Sequence, residues 1–172
     1  MTFVLPRFHF SSDKTDTGMM TIVAAYQGVN RERARALFHE YARSLPFDLD
    51  FQDFDAELAH LERHYAPPRG RLYVALQDDQ PAGCVALRRF EKGVCEMKRL
   101  YVRPVFRGHH IGRQLAETVV EAAREIGYDA MRLDTVPAMK SANRLYRTLG
   151  FKAIEAYRFN PVEGAIYLEL KL

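Results

Sequence analysis

The stretch from Val94 to Phe151 constrains this chain more than any other, because strand, turn, helix, strand and helix signals follow one another there without interruption. Val94 to Val102 alternates as a strand, with Val94, Glu96, Lys98, Leu100 and Val102 predicted on one face and Cys95, Met97, Arg99 and Tyr101 on the other. Pro104 ends it. A turn of Arg107, Gly108, His109, His110, Ile111 and Gly112 then opens a helix whose apolar stripe is Ile111, Leu115, Val119, Ala122 and Ile126. Gly127 and Asp129 close that helix, Ala130 to Val136 reads as another strand, and Pro137 separates it from a helix over Met139 to Leu149. Gly150 supplies the left-handed cap that such helices favour.

A helix N-terminus presents unpaired backbone N–H groups and the positive end of the helix dipole, and small residues beside it let a phosphate come close to the backbone. Five basic residues and no acidic one lie between Lys98 and Arg113, which suits a ligand with several phosphates. A solvated surface is the alternative for that basic run.

Leu100, Tyr101 and Val102 before the turn, Arg107, Gly108, Ile111 and Gly112 in it, and Asn143, Leu145, Tyr146, Leu149, Gly150 and Phe151 after it resemble the acetyl-CoA core of the GNAT N-acetyltransferase superfamily. The family's turn has Arg or Gln, two free positions, Gly, one free position, then Gly or Ala. Here His110 stands at the middle glycine. Its backbone N–H is retained, so the resemblance still implies a cofactor site.

That resemblance implies acetyl-CoA as donor and no metal. It also implies direct transfer of an acetyl group to a primary amine in a ternary complex. The turn, including His109, His110 and Arg113, would hold the pyrophosphate. Leu100, Tyr101 and Val102 would pair with the pantetheine arm, and Asn143 would touch it. Tyr146 matches the family tyrosine beside the CoA sulfur, where a phenol can protonate the leaving thiolate; packing bulk is its other reading. Glu96 resembles a glutamate that several members use as base, with an ion pair to Lys98 as its rival.

The fold implied is a single α/β (α+β) domain, a mixed central sheet flanked by helices in the order β-α-α-β-β-β-α-β-α-β-β. At 172 residues, 48% of them hydrophobic, the chain suits one well-cored domain. Residues 21–172 are assigned to it, with residues 1–20 as a lead outside the core and Met19 or Met20 as an alternative start. Thr21 to Tyr26 reads as the opening strand. Asn30 is placed to cap a helix carrying Ala34, Leu37, Phe38, Tyr41 and Leu45, and Asp53 to cap a second carrying Phe54, Leu58, Leu61 and Tyr65. Arg71 to Gln77 and Ala82 to Phe90 read as a hairpin, and Lys152 to Tyr157 and Ala165 to Leu170 as closing strands.

Six acidic residues and no Lys or Arg lie between Phe47 and Glu62. By resemblance this region walls the acceptor site, which makes Asp48 and Asp50 acceptor-binding candidates and a cationic small-molecule or peptidyl amine the expected partner. Capping and the helix dipole favour the same residues without any function. The net charge of +3 gives no case for nucleic acid. No apolar run approaches the roughly 20 residues of a membrane helix, and the first residues lack a signal-like apolar core, so a cytoplasmic protein is expected. Cys84 and Cys95 read as reduced packing residues, and no histidine is placed to activate Cys95. His60 and His64, one helical turn apart, lack a third ligand for a metal. Dimerisation is common in the family and is not legible in these residues. Two rivals to the amine acetyltransferase remain: a module that binds CoA thioesters without turnover, and a transferase of longer acyl groups.

Overall fold

The computed structural model describes residues 18–49 and 53–172, so Asp50 and nearly all of the expected lead lie outside the described residues. One seven-stranded sheet runs in the order β1-β2-β3-β4-β5-β7-β6. Its strands are β1 (Met20–Ala24), β2 (Arg71–Gln77), β3 (Gln80–Glu91), β4 (Val94–Val102), β5 (Ala130–Thr135), β6 (Lys152–Ala153) and β7 (Ile166–Lys171). Neighbours pair antiparallel except β4 and β5, which run parallel and are joined by the crossover helix. The expected mixed, helix-flanked α+β domain is what forms.

The helices are α1 (Gly28–Ser44), α2 (Phe54–Ala59), α3 (Leu61–Tyr65), α4 (Ile111–Ile126) and α5 (Lys140–Thr148). One face of the sheet packs on α4 and α5 through Leu87, Met97, Ile111, Leu115, Val119, Met131 and Tyr146. The other packs on α1, α2 and α3 through Leu37, Phe38, Leu58, Leu61, Tyr65 and Leu72. The stripe from Ile111 is buried as its spacing predicts through Ala122 and partly buried at Ile126, and Gly127 (φ 92°) and Gly150 (φ 95°) both adopt the left-handed conformation at helix ends.

Four local expectations change. Helix α1 begins two residues before Asn30, with Gln27 at the N-cap and no side-chain cap; Asn30 instead donates weakly to the Ala24 carbonyl at 3.5 Å. Asp53 occupies an N-cap position, but its left-handed backbone (φ 55°) leaves it with no side-chain cap bond. The second helix breaks at His60 (φ −137°, ψ 50°) into α2 and α3. In a straight helix, residues eight apart stand about 12 Å apart along the axis, whereas the break lets Tyr65 Oη donate to Glu57 Oε1 at 2.5 Å. Finally, the strand expected over Lys152 to Tyr157 stops at Ala153, and Tyr157 and Arg158 turn to Glu96.

Candidate active site

Strands β4 and β5 pair only through Val94–Ala130, Cys95–Met131 and Glu96–Arg132. Beyond Glu96 they diverge, although β4 runs on to Val102 and β5 to Thr135. Such a gap leaves strand edges whose N–H and C=O groups need other partners. Tyr41, Lys98, Leu100, Asp134, Thr135 and Tyr146 are among the residues lining a cleft there, with about 40 Å³ of interior space.

A bulge opens this gap. On β3, Cys84 pairs with Tyr101 and Ala86 with Lys98, so Val85 alone faces both Arg99 and Leu100, and Arg99 takes a left-handed backbone (φ 58°). The extra residue resets the alternation. Cys95, Met97, Leu100 and Val102 therefore meet the α4 side, while Tyr101 meets the α1 side. This corrects the expected sharing of one face by Glu96, Leu100 and Val102: Glu96 lies with its β3 partner Arg88 on the opposite face.

Glu96 is fully buried and saturated. Arg88 Nε donates to its Oε1 at 3.0 Å, and Tyr157 Oη and Arg158 Nη1 donate to its Oε2 at 2.9 and 2.7 Å. Lys98 Nζ lies 3.9 Å from Oε1. Burial pushes this carboxyl up, but Lys98, Arg88 and Arg158 outweigh it and hold the pKa at about 2. Burial pulls Lys98 down to about 7 against the raising effect of Glu96. Arg99 is anchored by Glu57, its Nε donating to Oε1 at 3.0 Å; burial pushes the Glu57 carboxyl up, but Arg99 holds it below the usual range. Glu57, Asp134 and Thr135 carried no sequence signal, since their partners are distant in the chain.

Tyr146 is buried at the cleft, 6% exposed, with its ring 5.8 Å from Phe151. Burial pushes its phenol well above the ordinary value. Asn143, one turn earlier, ties α5 to the end of β5: its Nδ2 donates to the Val136 carbonyl at 2.9 Å, and Thr135 Oγ1 donates to its Oδ1 at 2.8 Å. A hydrogen-bonded pair rather than a loose surface amide thus sets where Tyr146 stands.

The turn lies beyond the end of β4. A 3-10 turn over Pro104–Phe106 leads into Arg107, whose Nε donates to the Val102 carbonyl at 3.1 Å. His110 sits at the N-cap of α4 with φ 59° and makes no side-chain cap bond, so it fills the family glycine's position in a glycine-like conformation. The Gln114 amide returns to the His110 carbonyl, and no backbone acceptor takes the amides of Gly108 to Arg113 among the described residues. A Cβ on Gly108 would meet nothing within 4 Å, and one on Gly112 only Val102 Cγ2 at 3.5 Å, so the space before these amides is open. Arg113 reaches Thr148 on α5 at 3.2 Å, joining the turn to the helix that carries Tyr146.

The remaining described candidates do not line the cleft. Asp48 is exposed, and Asp50 is outside the described residues. His60 forms the helix break and His64 lies in α3, and no group of three metal-ligating side chains occurs among the described residues. Cys84 and Cys95 are buried free thiols; burial raises both, Cys95 to about 12. No described helix is long and apolar enough to cross a membrane.

Residues 34–151 match the acetyltransferase (GNAT) family. An uncharacterised N-acetyltransferase of Schizosaccharomyces pombe is 41% identical over 140 residues, 80% of this chain and 86% of that protein. The crystal structure of a GNAT-family acetyltransferase from Staphylococcus aureus superposes with a TM-score of 0.75 at 20% identity, over 89% of this chain and 99% of that one. A Salmonella typhimurium acetyltransferase solved with its cofactor acetyl-CoA gives a TM-score of 0.61 at 19% identity, over 88% of this chain and 93% of that one. These two likenesses concern the fold, and with the family match and the fission-yeast relative they place the chain: it is an N-acetyltransferase of the GNAT family.

Proposed function

We propose that the protein transfers an acetyl group from acetyl-CoA to a primary amine in a direct ternary complex. The observation that carries this reading is the early end of β4–β5 pairing, which leaves an open strand edge and a buried tyrosine at one cleft, with the turn of unpaired amides following the end of β4. The residues fit the cofactor. The amides of Gly108 to Arg113 and the open space at Gly108 and Gly112 suit a pyrophosphate, and the free edge of Leu100 to Val102 suits the amide groups of a pantetheine arm. When bound, acetyl-CoA supplies a thioester carbon open to attack by an amine.

The chain's own groups do the rest. An N–H on the β4 edge polarises the carbonyl, as backbone donors do where negative charge develops. Tyr146 remains protonated at neutral and alkaline pH, since burial raises its phenol, and it donates to the sulfur as the C–S bond breaks. The amine's proton leaves through water in the cleft rather than to Glu96, whose carboxyl is already filled by Arg88, Tyr157 and Arg158. Direct transfer is supported by the thiols: both cysteines are buried and pushed toward the neutral form, so neither is a ready acyl carrier.

The test is thiol release from acetyl-CoA across a panel of amines. The expected result is turnover with intersecting initial-rate lines, and a Tyr146→Phe variant about 100-fold lower in kcat with little change in the KM for acetyl-CoA. Acetyl-CoA binding without thiol release on any amine would overturn the reading in favour of a binding module. Parallel initial-rate lines would overturn the ternary complex.

A further inference from the structure

The pairing of β4 with β5 ends at Glu96–Arg132, and the same register carried on would set Lys98 opposite Asp134. The strands part there instead, and Asp134 lines the cleft together with Tyr41, Lys98 and Tyr146. Met131 and Leu133 belong to the core on the α4 side, which leaves Asp134, like Arg132, on the face of Glu96. Glu96 and Asp134 thus share one face of the sheet, and their surroundings differ.

Glu96 is fully buried, with three cations and a phenol around its oxygens. Asp134 is half-buried, and the donor to it among the described residues is neutral: Asn160 Nδ2 reaches its Oδ2 at 2.8 Å. The Val162 amide donates to Asn160 Oδ1 at 3.0 Å, which fixes the direction of that side chain. Lys98 and Arg158 form ion pairs with Glu96 rather than with Asp134. A carboxylate accepts about four hydrogen bonds, so Asp134 keeps capacity, at Oδ1 above all, for a donor arriving in the cleft. Its charge is felt across that space: burial first, and Asp134 after it, raise the phenols of Tyr41 and Tyr146.

The carboxylate is also braced against the phenol. Thr135, next along β5, donates to Asn143, which itself bonds the Val136 carbonyl and lies one turn before Tyr146 on α5. A carboxylate and a protonated phenol are thereby fixed at one cleft of about 40 Å³, room for about one water or one amine nitrogen.

We infer that Asp134 is the catalytic carboxylate of this transferase, which receives the acceptor amine as an ammonium and takes the proton that the amine loses before it attacks. This rests on the acetyltransferase reading above, and it gives the proton that leaves through the cleft water a destination. The ammonium's first proton passes through that water to Asp134, and the freed lone pair forms the N–C bond. The C–S electron pair leaves on sulfur with the Tyr146 proton. The second nitrogen proton, lost as the amide forms, returns to the phenol, and Asp134 releases its own to solvent.

The experiment compares the wild type with Asp134→Asn, which keeps the size of the side chain and an acceptor for Asn160 but removes the charge. With the best amine of the panel, kcat/KM at pH 7 should fall about 100-fold or more, while calorimetric binding of acetyl-CoA and the Tm hold. The deficit should shrink as pH approaches the pKa of the amine, because solvent then supplies the neutral nucleophile. Tyr41, Lys98, Tyr146 and Arg158 surround Asp134 in both proteins, so the difference between the two profiles belongs to Asp134. A variant as fast as the wild type, or slowed equally at every pH, would overturn the assignment.

Absence of thiol release with every amine would count against the acetyltransferase reading and not against the ammonium site. Calorimetry with butylamine then decides that site by itself. Binding that weakens about tenfold or more in Asp134→Asn supports it. Identical isotherms for the two proteins, or binding to neither, overturn it.

Discussion

A buried carboxylate whose oxygens are already occupied by two arginines and a tyrosine makes a poor base, because accepting a proton would break bonds that hold it. Glu96 is such a group, and its carboxyl sits at about 2, since Lys98, Arg88 and Arg158 outweigh the raising effect of burial. Its folded pKa thus lies below the ordinary value near 4.3. The ion pairs contribute stability in full above about pH 5, and that contribution is lost as pH falls toward 2. Glu96→Gln leaves the arginines without their counter-charge and should cost about 3 kcal/mol at pH 7, measured by urea unfolding. The same substitution should flatten the fall in stability between about pH 5 and pH 2. Unchanged stability, together with loss of the acidic limb of the kcat/KM profile, would instead mark Glu96 as the base.

At the scale of the element, two devices build the site: the bulge in β4 and the turn into α4. The turn carries a non-glycine residue in a left-handed conformation, which costs roughly 1 kcal/mol. His110→Gly should relieve that cost and raise Tm by about 2–4 °C while preserving acetyl-CoA binding, as thermal unfolding and calorimetry would show. A drop in Tm would mean that the imidazole makes a contribution larger than its backbone cost. The turn was legible in the sequence because Gly108, Gly112 and the stripe from Ile111 are local signals. The bulge was not. A positive φ at Arg99 has no mark in the residue itself; it follows from Val85 standing opposite two residues, a property of pairing. Strict alternation therefore put Leu100 and Val102 on the face of Glu96.

Across the whole molecule, the sequence revealed what neighbours in the chain decide and missed what distant partners decide. The element order, the caps at Gly127 and Gly150 and the placement of Tyr146 and Asn143 on α5 follow from local spacing. The anchoring of Arg99 by Glu57 spans 42 residues, and that of Glu96 by Arg158 spans 62. Neither has a period or motif. Together they fix the face of the sheet opposite α4, while the parts recognised by resemblance are those proposed to hold the donor.

On the proposed reading, the gap between β4 and β5 and the turn into α4 together receive acetyl-CoA. Amide hydrogen exchange with and without acetyl-CoA tests it most directly. Binding should slow exchange at the amides of residues 98–102 and 108–113, with little effect on β1 and β2. Calorimetric binding of acetyl-CoA that left those amides unprotected would contradict the account.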